Sequence, residues 1–250
     1  MTDKRSYQRH LPHEIPEGHP IFLTWNLKGA VPRTVIERLR QERDRLEKQS
    51  ARADESAADR RLREDKLIFA MCDRFLDRAQ DGPLHLKDPA AAAIVEDSLL
   101  FGVGERYDLY AWCIMANHVH VLLMPIWDLE RVTQGIKGYT AHEINGLQRA
   151  RGRILWQDES YDHWARSDEE VLRIIAYIEN NPVAARLCLR REDCLWSPAR
   201  FRNEWPAALP YRKVGQAFQP DGRQIEQACQ AGKPGGTIRQ AGKPDLPHHE

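Results

Sequence analysis

One apolar stretch, Ala111–Pro125, constrains the fold of this chain more than any other feature. It has the composition of β-strands and reads AWCIMANHVHVLLMP. Its break at Met115–Asn117 predicts a short turn between two adjacent strands, Tyr107–Ile114 and His118–Met124. We therefore expect this segment to supply the central strands of a sheet.

Two histidines, His118 and His120, lie two residues apart on the second of these strands. Side chains alternate between the faces of a strand, so both imidazoles point the same way, with Val119 and Val121 opposite. Two imidazoles on one face are a candidate pair of metal ligands. The alternative is that both lie on the wetter face of the sheet, satisfied by neighbouring groups or water.

The rest of the chain alternates between strand and helix patterns. An antiparallel sheet with helices packed on one side, an α+β fold of ferredoxin-like kind, is the expected architecture. The predicted elements, in order, are a strand at Ile21–Leu27, a helix from Thr34 toward Gln49, helical periodicity at Leu67–Leu76, a helix at Ala90–Phe101, a helix at Leu129–Leu147, a short strand at Ile154–Gln157 and a helix at Asp168–Asn180.

Composition divides the chain into an N-terminal arm (1–20), one domain (21–203) and a tail (214–250). Within the domain, residues 42–66 are dominated by charged residues and alanine, which predicts a solvated helical insert. The tail repeats the sequence QAGKP at 230–234 and 240–244 and is rich in Gly, Gln and Pro. Such a composition buries too little apolar surface to offset chain entropy, so we expect the tail to be disordered.

Charge and cysteine usage limit the possible settings of the protein. The 37 basic residues equal the 37 acidic ones, so any nucleic-acid binding must come from a local basic face. The five cysteines form no C-x-x-C pair, which predicts neither a disulfide framework nor a zinc ribbon and fits a reducing, cytoplasmic setting. No apolar run reaches the length of about eighteen residues that a membrane span needs.

A tyrosine and an asparagine, Tyr177 and Asn181, lie four residues apart on the last predicted helix and so share one side of it. A tyrosine there is a candidate nucleophile if a metal and nearby donors stabilise the attacked group. The alternatives are a half-buried core tyrosine and, because Asn181 precedes Pro182, an N-cap for a following helix.

The order of these elements and motifs resembles the IS200-like tyrosine transposases of the HUH endonuclease superfamily, in particular their REP-associated group. The resemblance covers roughly residues 9–201. The matching residues are Arg9–His13 (RHLPH), Met115–His120 (MANHVH), Lys137, Asn145, Leu155–Gln157 (LWQ), Tyr161–His163 (YDH) and Tyr177–Val183 (YIENNPV). Ala116 stands where the family commonly has proline, and the charged insert and the tail lie beyond the family core.

The resemblance implies an HUH-type tyrosine transposase, a DNA nuclease and strand transferase that acts on single-stranded DNA near REP-like hairpins. His118, His120 and Asn181 would bind a divalent metal, and Tyr177 would form a covalent 5′-phosphotyrosine intermediate. Mn²⁺ or Mg²⁺ is favoured over a closed zinc site, since such ligands leave open positions for phosphate and water. The alternative function is a domesticated DNA-binding protein that descends from such an enzyme and no longer cuts.

Two further groups of residues complete the predicted site. Tyr139 is the alternative nucleophile, although its place in an apolar stripe beside Val132 favours a packing role, and Tyr161 ranks after both. Basic residues follow the central strands and the tyrosine helix, where a DNA strand would need them, with solvated helix ends as the alternative. The candidate DNA-binding residues are Arg131, Lys137, Arg149, Arg151, Arg153, Arg186 and Arg190.

Overall fold

The computed structural model describes residues 18–49, 55–79, 82–158 and 160–201. Most of the predicted arm, with the Arg9–His13 motif, and all of the predicted tail (214–250) lie outside these described residues. Along the described part of the chain, no helix is long and apolar enough to cross a membrane. The main elements, in chain order, are β1 (Ile21–Asn26), α1 (Arg33–Glu47), α2 (Ala57–Arg78), α3 (Pro89–Phe101), β2 (Tyr107–Ile114), β3 (His118–Pro125), α4 (Leu129–Leu147), β4 (Tyr161–Trp164) and α5 (Asp168–Ala184).

The four strands form one antiparallel sheet in the order β2-β3-β1-β4. Strands β1 and β3 are therefore the central pair, with Thr24 opposite His120 and Asn26 opposite His118. This strand order is that of a ferredoxin-like sheet. The α+β class and the antiparallel sheet predicted from the sequence are confirmed.

Helices cover both faces of the sheet, which differs from the predicted packing on one side. The crossover helices α3 and α4 pack on the face that carries Val119 and Val121. Helix α5 returns from edge strand β4 and packs on the opposite face, against Phe22 and Leu122. That second face is itself apolar, so exposing it to water would be unfavourable, and α5 buries it.

A β-bulge in strand β2 decides which of its side chains face α5. The pairing register shifts between Leu109 and Ala111, which inserts one extra residue relative to β3. Leu109 packs with the α3/α4 face, whereas Ala111 and Cys113 pack with the α5 face. The bulge thus places Leu109 and Ala111 on opposite faces, although regular alternation would put them on the same one.

Of the residues predicted as a charged insert (42–66), 42–47 form the end of α1 and 57–66 the first half of α2, while 50–54 lie outside the described residues. Arg43 pairs with Asp65 at 2.7 Å across the two helices. Arg60 donates to the carbonyl oxygens of Leu46 and Glu47 at 2.9 and 2.8 Å, which satisfies acceptors at the end of α1. These contacts hold the two helices together, and α2 then continues into the domain.

The last strand lies seven residues beyond the position predicted for it. Ile154–Gln157 contributes only a single bridge, between Trp156 and Leu27, and Ile154 is exposed. The strand itself is β4, Tyr161–Trp164, which pairs with β1. The prediction at Ile154–Gln157 was wrong because two buried residues, Leu155 and Trp156, gave a short loop the apolar character of a strand.

Gly102 ends helix α3 where the side chain of Tyr107 crosses it. A Cβ atom at Gly102 would lie 2.5 Å from Cε1 of the Tyr107 ring. That ring is 1% exposed, and its hydroxyl donates to the Leu99 carbonyl oxygen at 2.7 Å, so it cannot easily move away. We expect Gly102→Ala to lower the free energy of unfolding by about 1–3 kcal/mol, as overpacked cores do.

Gly138→Ala is the matched control, because a Cβ at this position on α4 meets nothing within 4 Å. It should be neutral or stabilising by up to about 1 kcal/mol, the difference in helix propensity. Urea denaturation of both variants measures the effect. Equal stabilities for the two variants would contradict the packing described for Tyr107.

Candidate active site

The two histidines of β3 meet on the face of the sheet that α5 covers. Both are fully buried, and their Nε2 atoms lie 3.0 Å apart. Nδ1 of His118 donates to Oδ1 of Asn117 at 2.6 Å, since an amide oxygen can only accept, and this leaves Nε2 of His118 with a free lone pair. Nδ1 of His120 is hydrogen-bonded to the Thr24 hydroxyl at 2.7 Å. These hydrogen bonds at the two Nδ1 atoms fix the orientation of both rings, as hydrogen bonds to the other ring nitrogen of metal-binding histidines do.

Burial keeps both imidazoles neutral. It lowers the pKa of His118 to about 3, with a further contribution from the neighbouring His120, and it lowers the pKa of His120 to about 3. Near neutral pH both rings are therefore in the unprotonated form that coordinates metals. The two Nε2 atoms point at a common region of the structure.

Two carboxylates from helix α2, Asp73 and Asp77, reach the same region. Oδ1 of Asp73 lies 3.4 Å from Nε2 of His120 and 3.8 Å from Nε2 of His118. Oδ1 of Asp77 lies 3.7 Å from Nε2 of His118. One ligand atom from each of these four residues lies within 4.8 Å of all the others. A single cation could therefore contact all four side chains.

Three buried oxygens at this cluster have no hydrogen-bond donor among the described residues. They are Oδ1 of Asp73, Oδ1 of Asp77 and Oδ1 of Asn181. Burial, and then the charge of Asp73, raises the pKa of Asp77 to about 8, and burial also raises the pKa of Asp73. Buried acceptors without donors are costly, and a divalent cation would satisfy them. Carboxylate, amide and imidazole groups are suitable metal ligands, so the side chains of this cluster fit a divalent metal.

Tyr177 of α5 reaches the cluster through its hydroxyl. The hydroxyl donates to Oδ2 of Asp73, and the tyrosine ring lies 5.8 Å from the ring of His120. Burial and the charge of Asp73 raise the pKa of Tyr177 well above its usual value. The residue as a whole keeps 39% of its surface exposed.

Asn181 lies one turn after Tyr177 on the same helix. Helix α5 continues through Pro182 to Ala184, so Asn181 is inside the helix and does not cap a following one. Its Nδ2 lies 3.5 Å from Oδ2 of Asp73. The structure thus brings together the four residues that the sequence predicts as metal ligands and nucleophile, which are His118, His120, Asn181 and Tyr177.

Asp73 and Asp77 are not among the site residues predicted from the sequence, because they belong to a helix that begins in the charged segment. Aspartates are rarely buried, yet Asp73 is buried within Leu67–Leu76, where apolar periodicity resumes, and the half-buried Asp77 follows four residues later. Acidic residues with helical spacing on an apolar stretch were the available signal. The sequence offers no sign that this face of α2 meets β3, some forty residues later.

The other two tyrosines lie in different surroundings. Tyr139 is 55% exposed on α4, whose buried residues pack on the opposite face of the sheet, so the packing role predicted for it is wrong. Tyr161 stacks on Phe69 with a centroid distance of 3.9 Å and also contacts Phe22. Of the three tyrosines, only Tyr177 donates its hydroxyl to the acidic cluster in the hydrogen bonds described.

The candidate DNA-binding residues separate into two groups. Lys137 binds the carbonyl oxygen of Gln157 at 3.0 Å, Arg153 binds Oδ1 of Asn145 at 2.9 Å, and Arg190 pairs with Asp193 at 2.9 Å. These three side chains hold loops in place. The residues of the second group have exposed positions, and they are Arg131, which lies over the ring of Trp127, Arg149, Arg151 and Arg186.

Comparison with known proteins finds a family similarity over part of the chain. Residues 103–181 match the family model described as "Transposase IS200 like", a span that contains His118, His120, Tyr177 and Asn181 but neither Asp73 nor Asp77. The match confirms the resemblance to IS200-like transposases and supports a transposase-type function. No curated protein matches the chain. Among solved structures, a REP-associated tyrosine transposase bound to a REP hairpin aligns with 16% identity over 99% of this chain and 100% of that one, with a TM-score of 0.41.

Proposed function

We propose that this chain is a metal-dependent transposase that cleaves and rejoins single-stranded DNA near REP-like hairpins, with Tyr177 as the nucleophile. One observation carries the proposal. The hydroxyl of Tyr177 and the Nε2 atoms of His118 and His120 converge on the same buried carboxylate, Asp73. A nucleophile beside a cluster of metal-binding groups is suited to phosphodiester transfer to an enzyme side chain, because a bound metal can stabilise the attacked phosphate.

The side chains at the cluster have separate roles in the proposed reaction. His118, His120, Asp73, Asp77 and Asn181 would hold the ion, Mn²⁺ or Mg²⁺, which when bound polarises the scissile phosphate. The packing of α5 on the sheet holds the ring of Tyr177 beside His120. The part of Tyr177 that remains exposed is the side from which a DNA strand would approach.

The proposed chemistry exchanges one phosphodiester bond for another. The Tyr177 oxygen loses its proton and bonds to phosphorus, while the bond from phosphorus to the 3′ oxygen breaks and that oxygen takes up a proton. The products are a 5′-phosphotyrosine and a free 3′-hydroxyl. Because the covalent link conserves the bond energy, the same steps in reverse join strands without another energy source.

The exposed arginines supply the electrostatic attraction that DNA binding needs. Arg186 follows the end of α5 and lies five residues after Asn181, so it is well placed for the strand that enters the site. Arg149 and Arg151 follow α4. Contacts from such residues to phosphates make affinity fall steeply with salt while carrying no sequence information.

A covalent protein–DNA complex is the direct test of the proposed function. We expect labelled single strands that carry a hairpin, incubated with the protein and Mn²⁺, to give a labelled band that survives denaturing electrophoresis. EDTA should abolish this band, and a strand without the hairpin should give less of it. Non-covalent binding without any adduct, under every metal tested, would instead indicate the non-cleaving DNA-binding protein.

A further inference from the structure

Asp73 stands between the nucleophile and the imidazole pair, on a helix outside the span that matches the transposase family. Its Oδ2 accepts the hydrogen bond of Tyr177, and its Oδ1 faces Nε2 of His120 at 3.4 Å. We propose that Asp73 is the positioning residue of Tyr177, and that the α1–α2 segment is thereby part of the active centre. This inference rests on the proposed function of Tyr177 as the nucleophile.

The carboxylate of Asp73 can position the hydroxyl because it is itself rigidly held. The residue is 3% exposed, and Nδ2 of Asn181 lies 3.5 Å from the same oxygen that accepts from Tyr177. A phenol hydroxyl has two equivalent orientations in the plane of the ring until a partner selects one, and a buried charged acceptor is a strong partner. Asp73 therefore sets the direction of the Tyr177 O–H bond relative to the imidazole pair.

Contacts before and after Asp73 hold helix α2 in place. Nδ2 of Asn117, in the turn before β3, donates to the carbonyl oxygen of Leu76 at 3.1 Å. On the other side, Phe69 stacks on Tyr161, and Lys66 pairs with Glu170 of α5 at 2.9 Å. Since these contacts join α2 to β3, β4 and α5, a carboxylate on α2 keeps its place relative to both the histidines and the tyrosine.

Asp77 is the matched control, because it belongs to the same cluster without contacting Tyr177 in the hydrogen bonds described. Its Oδ1 faces His118 at 3.7 Å. A change at Asp77 should therefore affect the ligands that hold the ion. A change at Asp73 should affect those ligands and also the orientation of the Tyr177 hydroxyl. The two effects separate when the ion is saturating.

The experiment compares Asp73→Ala, Asp73→Asn and Asp77→Asn in single-turnover adduct formation at saturating Mn²⁺. We expect Asp73→Ala to be slower than wild type by about 100-fold, the usual cost of a misplaced reacting group. Asp73→Asn keeps the side-chain shape and an accepting oxygen, so it should recover part of that loss. Asp77→Asn changes the same set of metal ligands without removing the acceptor of Tyr177, so it should need more Mn²⁺ and, when the ion is saturating, should stay faster than Asp73→Ala.

A second readout without metal or DNA keeps the inference testable if no adduct forms. With 3-fluorotyrosine in place of tyrosine, ¹⁹F NMR in EDTA reports the surroundings of Tyr177, and the Tyr177→Phe spectrum assigns its signal. The signal should shift or broaden more in Asp73→Ala, which removes the hydrogen-bond acceptor of Tyr177, than in Asp77→Asn, which removes only a nearby charge. An unchanged signal in Asp73→Ala, or a wild-type rate in that variant, would overturn the positioning role. Absence of any wild-type adduct would count against the proposed function alone.

Discussion

Replacing Tyr177 by phenylalanine is expected to abolish the covalent protein–DNA complex completely while leaving hairpin binding within a few-fold of wild type. The substitution keeps the ring and its edge-to-face contacts with Phe22 and His120 and removes only the hydroxyl. Contacts to phosphates and base stacking supply most of the affinity for single strands, and neither needs that hydroxyl. Denaturing gels measure the adduct, and filter binding measures the affinity.

Tyr139→Phe and Tyr161→Phe are the controls for this result, and both should still form the adduct. Tyr139 is exposed on the helix that packs on the far face of the sheet, and Tyr161 is engaged in its stack with Phe69. Proteolysis of the trapped complex followed by mass spectrometry would identify the linked peptide. DNA attached to the Tyr139 peptide would refute the assignment of the nucleophile.

Replacing His118 or His120 by alanine is expected to remove both Mn²⁺ binding at the cluster and adduct formation. Each change deletes one of the converging nitrogens. In metal-free protein each should lower the free energy of unfolding by about 1–3 kcal/mol, because buried acceptors such as Oδ1 of Asn117 lose their donor. Calorimetric Mn²⁺ titration measures the first effect, and thermal unfolding in EDTA the second.

His142→Ala is the control for these variants, since His142 is an exposed residue of α4 and should affect neither property.

The same Mn²⁺ titrations, repeated at several pH values, identify the ligand whose protonation competes with metal binding. Mn²⁺ affinity should fall as the pH drops below about 8, because the Asp77 carboxyl must lose its proton to bind. It should not show a separate step near pH 6.5, since burial lowers the pKa of both imidazoles to about 3. Full Mn²⁺ affinity in His120→Ala would reject the proposed metal centre.

Much of the candidate site follows from local rules that the sequence carries by itself. The two-residue period of a strand was sufficient to place His118 and His120 on one face. The four-residue spacing on a helix was sufficient to place Tyr177 and Asn181 together. The positions of α4 and α5 were likewise readable from apolar stripes, because a helix that packs on a sheet repeats its buried positions at a constant interval. The start of α3 was readable from Asp88 and Pro89, a helix cap followed by a first-turn proline.

Other features depended on contacts that the local pattern does not encode. A buried pair, Leu155 and Trp156, resembled a strand, whereas β4 was the segment that could pair with β1. Pro182 suggested a helix end, yet α5 continued because proline loses one hydrogen bond and the buried face of the helix compensates. Tyr139 matched an apolar stripe but lies at its solvent edge.

The sequence by itself therefore determined which residues share a face within the regular elements, since that depends only on backbone periodicity. Strand β2 is the exception, because its bulge between Leu109 and Ala111 moves the later residues to the other face. Tertiary structure alone decided which faces meet. It brought Asp73 and Asp77 of the charged helix α2 against His118 and His120 of β3, and it directed Tyr177 toward Asp73. Such contacts between distant segments follow from how whole elements bury their apolar surfaces against one another, and no repeat within one element encodes that arrangement.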